Sequence, residues 1–325
     1  MATSSTAVAA STPLIEGCVG AQALDPASPE ACRLQSTYAE LVPVKGLATA
    51  TGPIARGRYC RAAAAVSGVP SCVYGVSSSA RLRVALVGDS HAEQWVPAVD
   101  AIAKAQGWRV ETFLKGGCPF STVMRSDQAK SARNSCKTWN GKVVKKLKAG
   151  DYDIILTTHA SGRSFATAKG ESTRQAETRG VRSQWAAVQR GSSARIIAIR
   201  DNPLLTIEPY ACLNNLRNSV FARSNQCSSA RSVSLRFDAE STAAKQTGRA
   251  AVDLSDYFCD EAKCYAMIGA VRVFRDGSHL SALYVRTMAP YFQRQLIPAV
   301  MRPGYPISDN TVSSSAPMYG ASDLE

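Results

Sequence analysis

Three histidines occur in this chain of 325 residues, His91, His159 and His279, and two of them stand in company that suits acyl chemistry. A serine hydroxyl is a poor nucleophile until a neighbouring base removes its proton, and that base works best when a carboxylate orients it. Ser90, in Gly88-Asp-Ser-His91, is the candidate hydroxyl, and Asp276-Gly-Ser-His279 supplies a base and its orienter three residues apart. That spacing lets the Asp276 carboxylate curl back to Nδ1 of His279 and leaves Nε2 for Ser90. Each motif has a plainer alternative: Ser90 or Asp276 as a helix cap, His279 as a surface histidine. Their conjunction favours the nucleophile. Asp89 reads as an acceptor that holds the turn through backbone N–H groups. His91 stands between substrate contact and turn support, and His159 and Arg163 between substrate contact and structure.

The elements around these residues set where they meet. Arg81-Leu-Arg-Val-Ala-Leu-Val87 is a short apolar run that ends in Gly88-Asp-Ser90, a buried strand entering a tight turn. Trp95, Val99, Ile102 and Ala103 make one helical stripe, and Pro97 fits that helix's first turn. Further strands are expected at Val110–Leu114, Asp153–Thr158 and Ala194–Ile199, with helices around Trp139–Leu147 and Val181–Gln189. Strands alternating with helices imply βαβ units and a mostly parallel sheet covered on both faces. In such a sheet ligands bind beyond the carboxyl ends of the strands, which puts Ser90, Gly116, Gly117 and His159 on one rim. Asn202-Pro203 is expected as a turn bordering the cleft, and Trp95 and Trp108 as core or groove aromatics. Residues 207–250 read as a helical excursion. Residues 1–12 have linker composition, 13–80 form a cysteine-rich lead-in packed on the main domain, 81–302 hold the catalytic domain, and 303–325 form a fraying tail.

Ten cysteines point to a compartment. They fall into neighbouring pairs along the chain: Cys18 and Cys32, Cys60 and Cys72, Cys118 and Cys136, Cys212 and Cys227, Cys259 and Cys264. Many connectivities are open to ten cysteines, and spacing alone does not choose among them. An even, clustered set without a Cys-x-x-Cys fits disulfides, hence an oxidising, extracytoplasmic site. No stretch approaches the roughly 18 consecutive apolar residues of a membrane helix. The N-terminal residues lack the basic and apolar regions of a signal peptide, and Asp323-Leu-Glu325 reads as a cloning scar, so a piece of a longer protein is expected. The formal net charge is +13. The cluster Lys142, Lys145, Lys146 and Lys148 suits the solvated face of a helix. With no nucleic-acid motif present, an acidic envelope glycan is the better partner. Three histidines without a ligand cluster imply no metal, and without a glycine-rich phosphate cradle no cofactor is expected.

Val87-Gly-Asp-Ser-His-Ala-Glu-Gln-Trp-Val-Pro-Ala98, Lys115-Gly-Gly-Cys-Pro119 and Asp276-Gly-Ser-His-Leu-Ser281 together resemble the SGNH domain fused behind membrane acyltransferase 3 domains. Those proteins O-acylate bacterial cell-surface polysaccharides. The resemblance spans roughly residues 13–300, and Cys18-Val-Gly-Ala with Cys60 and Cys72 looks like the extension such domains carry. It implies a flavodoxin-like three-layer αβα fold and an acyl–serine intermediate. It further implies Ser90 as nucleophile, His279 as base and Asp276 as orienter. The backbone N–H groups of Ser90 and of Gly116 or Gly117 then match the oxyanion donors. The wider superfamily places an Asn after the third strand, where this chain has Thr157-Thr-His-Ala-Ser-Gly-Arg163, so His159, Ser161 or Arg163 would have to stand in, or the hole has two members. The expected activity is acyl transfer to an envelope glycan from a donor delivered by a fused membrane domain. The rivals are glycan O-acetyl esterase with the same triad and a non-catalytic glycan-binding module.

Overall fold

The computed structural model describes residues 18–29, 32, 60–216, 226–269 and 271–301. The expected linker at 1–12, the tail at 303–325 and much of the lead-in before Cys60 lie outside them.

Eleven strands and nine α-helices are described. The strands are β1 (Arg61–Ala62), β2 (Val73–Gly75), β3 (Leu82–Gly88), β4 (Trp108–Lys115), β5 (Ile154–Thr158), β6 (Arg195–Ile199), β7 (Ser228–Ala230), β8 (Ala250–Val252), β9 (Lys263–Tyr265), β10 (Met267–Ile268) and β11 (Val271–Arg272). The helices are α1 (Ser90–Glu93), α2 (Val96–Gln106), α3 (Lys130–Ala149), α4 (Thr173–Gln189), α5 (Pro209–Leu216), α6 (Arg231–Ser234), α7 (Ala239–Gln246), α8 (Ala282–Thr287) and α9 (Ala289–Met301). The central sheet runs β1-β4-β3-β5-β6-β8, with β2 also on β4. All its pairings are parallel except that of β2. The inner strands β4-β3-β5-β6-β8 follow the flavodoxin-like order, and the order in which strands are added reverses between β3 and β5.

Alternation along each strand builds two cores. Val84 and Leu86 of β3, Leu156 of β5 and Ile197 and Ile199 of β6 face one side, against Val99 and Ile102 of α2 and Tyr284, Phe292 and Leu296 of α8 and α9. Ala85 and Val87, Ile155, Ile196 and Ala198 face the other, against Trp139, Val143 and Leu147 of α3, Trp185 of α4 and Ala243 of α7. This is the expected three-layer, mostly parallel α/β fold. Local signals start and stop the helices: Pro97 sits in the first turn of α2, which ends at Gly107 in a left-handed conformation. A capping box of Ser172 and Gln175 opens α4. The lysines at 142, 145, 146 and 148 are exposed on α3 while Val143 and Leu147 are buried. Trp95 and Trp108 are core residues.

Five disulfides close the consecutive pairs Cys18–Cys32, Cys60–Cys72, Cys118–Cys136, Cys212–Cys227 and Cys259–Cys264. Residues 207–250 are more varied than a helical excursion, since they hold β7 as well as α5, α6 and α7, and their last residue opens β8, the parallel strand at the far edge of the sheet.

Candidate active site

Parallel register brings the chemistry to one rim. Gly88 at the end of β3 lies opposite Leu114 of β4 and Thr158 of β5, so the segments carrying Ser90, Gly116–Gly117 and His159–Arg163 leave the sheet side by side. Gly88 itself has φ +154°, and a Cβ there would come within 2.0 Å of the Thr158 carbonyl oxygen. Only glycine permits the turn to leave the strand this closely. Asp89 then caps α1: its Oδ1 accepts the His91 N–H at 2.9 Å, and its two carboxylate oxygens lie 3.3 and 3.1 Å from the Ala160 N–H. Because Asp89 caps α1, the Ser90 hydroxyl is left for other work.

That hydroxyl meets His279. Ser90 Oγ is 2.8 Å from His279 Nε2, and His279 Nδ1 is 2.9 Å from each carboxylate oxygen of Asp276. Residues 189 apart in sequence thus form one unbroken relay. The loop is tied at its base by a bridge between Phe274 and Leu280 and by the Arg275 N–H donating to the His279 carbonyl. Asp276 also accepts the Ser278 and His279 N–H groups, so the capping role and the orienting role coincide. Burial pushes the Asp276 carboxyl up, but these hydrogen bonds and the nearby imidazole outweigh it and hold the group below the usual carboxylate range.

Two residues that sequence reasoning had not given a site role grip the same loop. Gln94, on the turn after α1, accepts the Leu280 N–H at 2.9 Å and donates to Asn202 Oδ1 at 2.7 Å. Asn202 donates in turn to the Ser278 carbonyl at 3.0 Å. Asn202 had been read only as a turn at the cleft border, and no sequence pattern links it to Gln94.

The oxyanion candidates separate. The Gly116 N–H donates to the Ala62 carbonyl at 3.0 Å, which removes it as a donor to substrate. Gly117 has φ +64° and its carbonyl accepts from Gln128. Among the described residues neither its N–H nor that of Ser90 has a protein acceptor. Just before this turn, the ammonium of fully buried Lys115 donates to the carbonyls of Ala63, Ala64 and Val66 and to Ser135 Oγ. The Cys118–Cys136 disulfide follows it and ties the turn to α3.

Of the three expected substrate contacts, two are placed otherwise. His159 is buried, with Nδ1 3.0 Å from Glu240 and Nε2 2.9 Å from Glu177, so neither ring nitrogen is left for a ligand. His91 is buried too: Nδ1 lies 2.6 Å from Asp201 Oδ1, and Nε2 is sealed from solvent without a hydrogen-bond partner. Arg163 stays half-exposed, near enough for its charge to act on both His91 and Asp127. Ser161 donates its N–H to Asp201 Oδ2 at 2.7 Å. Glu93, buried beside the site, forms an ion pair at 3.1 Å with Arg61 of the lead-in, and burial raises its pKa.

Residues 59–294 match the model of the SGNH domain fused to AT3 domains. The chain belongs to that family. Its fold is similar to the solved periplasmic domain of a lipopolysaccharide acetyltransferase from Salmonella ser. Paratyphi A, at TM-score 0.56 and 14% identity, covering 76% of this chain and 93% of that one. No curated protein sequence matches it. Family membership supports hydrolase or acyltransferase chemistry for this SGNH domain, and the structural likeness bears on its fold. Among the described residues no helix is long and apolar enough to cross a membrane.

Proposed function

We propose that this SGNH domain is the extracytoplasmic half of an O-acyltransferase. It moves a short acyl group, such as acetyl, through an acyl–Ser90 intermediate to a hydroxyl of an envelope glycan. The observation that carries the reading is the hydrogen-bonded relay Asp276–His279–Ser90. In the first half-reaction Ser90 Oγ bonds to the donor's carbonyl carbon while its proton passes to His279 Nε2. The imidazolium formed is stabilised by Asp276. Negative charge on the carbonyl oxygen is met by the N–H groups of Ser90 and Gly117, with the half-exposed Arg163 guanidinium as the third donor in place of the superfamily's Asn. The leaving group departs with the proton from His279. In the second half-reaction a sugar hydroxyl gives its proton to His279 and attacks the acyl carbon, and as the acyl–Oγ bond breaks the imidazolium returns that proton to Ser90. Five disulfides support an oxidising compartment. Family fusion to AT3 domains supports a membrane domain as the source of the acyl donor.

Replacing Ser90 with Ala should cut hydrolysis of nitrophenyl acetate by about a thousand-fold or more, with no acyl adduct in intact-mass spectra. Undiminished turnover would overturn the nucleophile assignment. One observation favours a second reading. The side chains of His279 and Asp276 are 23% and 49% exposed, so water can reach the base, and water in place of the sugar makes the same site an esterase. Incubation with a glycan acceptor separates them: acylated acceptor supports transfer, and free acid alone supports hydrolysis.

A further inference from the structure

The loop after β6 contributes two consecutive polar residues to the site. Asp201 takes His91 and Asn202 takes Gln94, so each meets a residue of the nucleophile turn, and the two partners are three positions apart on it. We propose that Asp201 and Asn202, with His91 and Gln94, form a positioning clamp that seats the His279 ring against Ser90. The proposal rests on the acyl–serine reading above and deepens it.

Gln94 and Asn202 hold the backbone on both sides of His279, through the Leu280 N–H and the Ser278 carbonyl. His91 supports the ring itself: the two imidazole centroids are 5.0 Å apart, with planes inclined at 53°. The sealed Nε2 of His91 makes no hydrogen bond, so its ring serves as a packing surface rather than as a ligand. Its orientation is fixed from the other end, because Asp201 accepts from Nδ1 through one oxygen and from the Ser161 N–H through the other. The backbone N–H of Asp201 is itself held by Asp238 at 3.1 Å. Burial works against charge on the His91 ring, yet Asp201 and then Asp89 outweigh it and raise its pKa. At 2.6 Å the His91–Asp201 contact is at the short end for an N–H···O hydrogen bond, which holds the ring plane in one orientation. None of the four touches the reacting atoms. Their effect is on angle and distance, where a displacement of about 1 Å can cost a hundred-fold in rate.

The test uses the whole chain and three variants, His91→Phe, Asp201→Asn and Gln94→Ala. Active sites are counted by labelling Ser90 to completion with a fluorophosphonate and weighing the intact protein, so losses from misfolding drop out. Per labelled site, kcat on nitrophenyl acetate should fall about 10- to 100-fold in each variant while KM stays within about two-fold. His91→Phe with Asp201→Asn should cost little more than either alone, since both break one contact. All three positions are buried, so if one of these variants fails to fold, the near-isosteric Gln94→Glu, which removes the donor to Asn202 without a change of volume, decides. Values of kcat per site within two-fold of the parent would reduce the clamp to scaffolding, and a loss confined to KM would make it a substrate contact; either overturns the proposal. Absence of any Ser90 label in the unaltered protein would instead overturn the acyl–serine reading and the clamp with it.

Discussion

At the scale of single residues, the site works by dividing roles that the sequence leaves overlapping. Serine and aspartate both cap helices, and here Asp89 does so for α1, which frees the Ser90 hydroxyl. Asp276 performs both tasks at once, closing its own loop and aligning His279. Replacing Asp276 with Asn keeps the shape but removes the charge that favours imidazolium. We expect kcat to fall by about 10²- to 10⁴-fold with little change in KM, measured by steady-state ester hydrolysis; a loss below ten-fold would assign Asp276 to loop closure alone. The hydrogen-bonded grouping of Ser90, His279 and Asp276 was legible because Asp276 and His279 lie within one turn and Ser90 sits in a strand-to-helix punctuation. For His91 and His159 the sequence left substrate contact and structural support open, because their carboxylates, Asp201, Glu177 and Glu240, lie 110, 18 and 81 positions away. No local pattern carries such pairings.

At the scale of elements, the strands bring these side chains together and buried polar groups lock the helices to them. His159 follows β5 and joins Glu177 of α4 to Glu240 of α7, while Thr157 of β5 donates to the second oxygen of Glu240. Burial opposes the imidazolium, but the two glutamates outweigh it and raise the His159 pKa well above its ordinary value. A group with a raised folded-state pKa contributes its full stability below its unfolded value, about 6.5 for histidine, and loses it as pH climbs through the folded value. Replacing His159 with Ala should therefore cost about 3–5 kcal/mol at pH 6 by leaving two buried carboxylates uncompensated. The deficit should shrink toward alkaline pH. Urea denaturation across a pH series checks both the size and the slope, and a pH-independent difference would sink the argument. Four of the parallel strands were readable as apolar runs punctuated by glycine. The two outermost, Arg61–Ala62 and Ala250–Val252, span two and three residues, the latter with an exposed centre, too brief for any periodicity to register.

At the scale of the whole molecule, none of the five disulfides joins two strands of the central sheet. Cys118–Cys136 braces the turn beside Ser90, and Cys60–Cys72 closes the lead-in where it meets the sheet. The ten cysteines were legible as a set, but their connectivity needed the fold, because only proximity selects among pairings. That lead-in has a consequence for where the domain begins. Strand β4 is sheltered along its outer border by β1 at Leu114–Lys115 and by β2 at Arg109–Glu111, and the same stretch supplies the three carbonyls around the Lys115 ammonium. A shortened protein starting at Arg81 would carry every triad residue yet present a bare, stackable strand border and a stranded cation. It should self-associate on size-exclusion chromatography and melt well below the parent. A monodisperse, fully active truncation would mean that those first strands are ornament rather than shield.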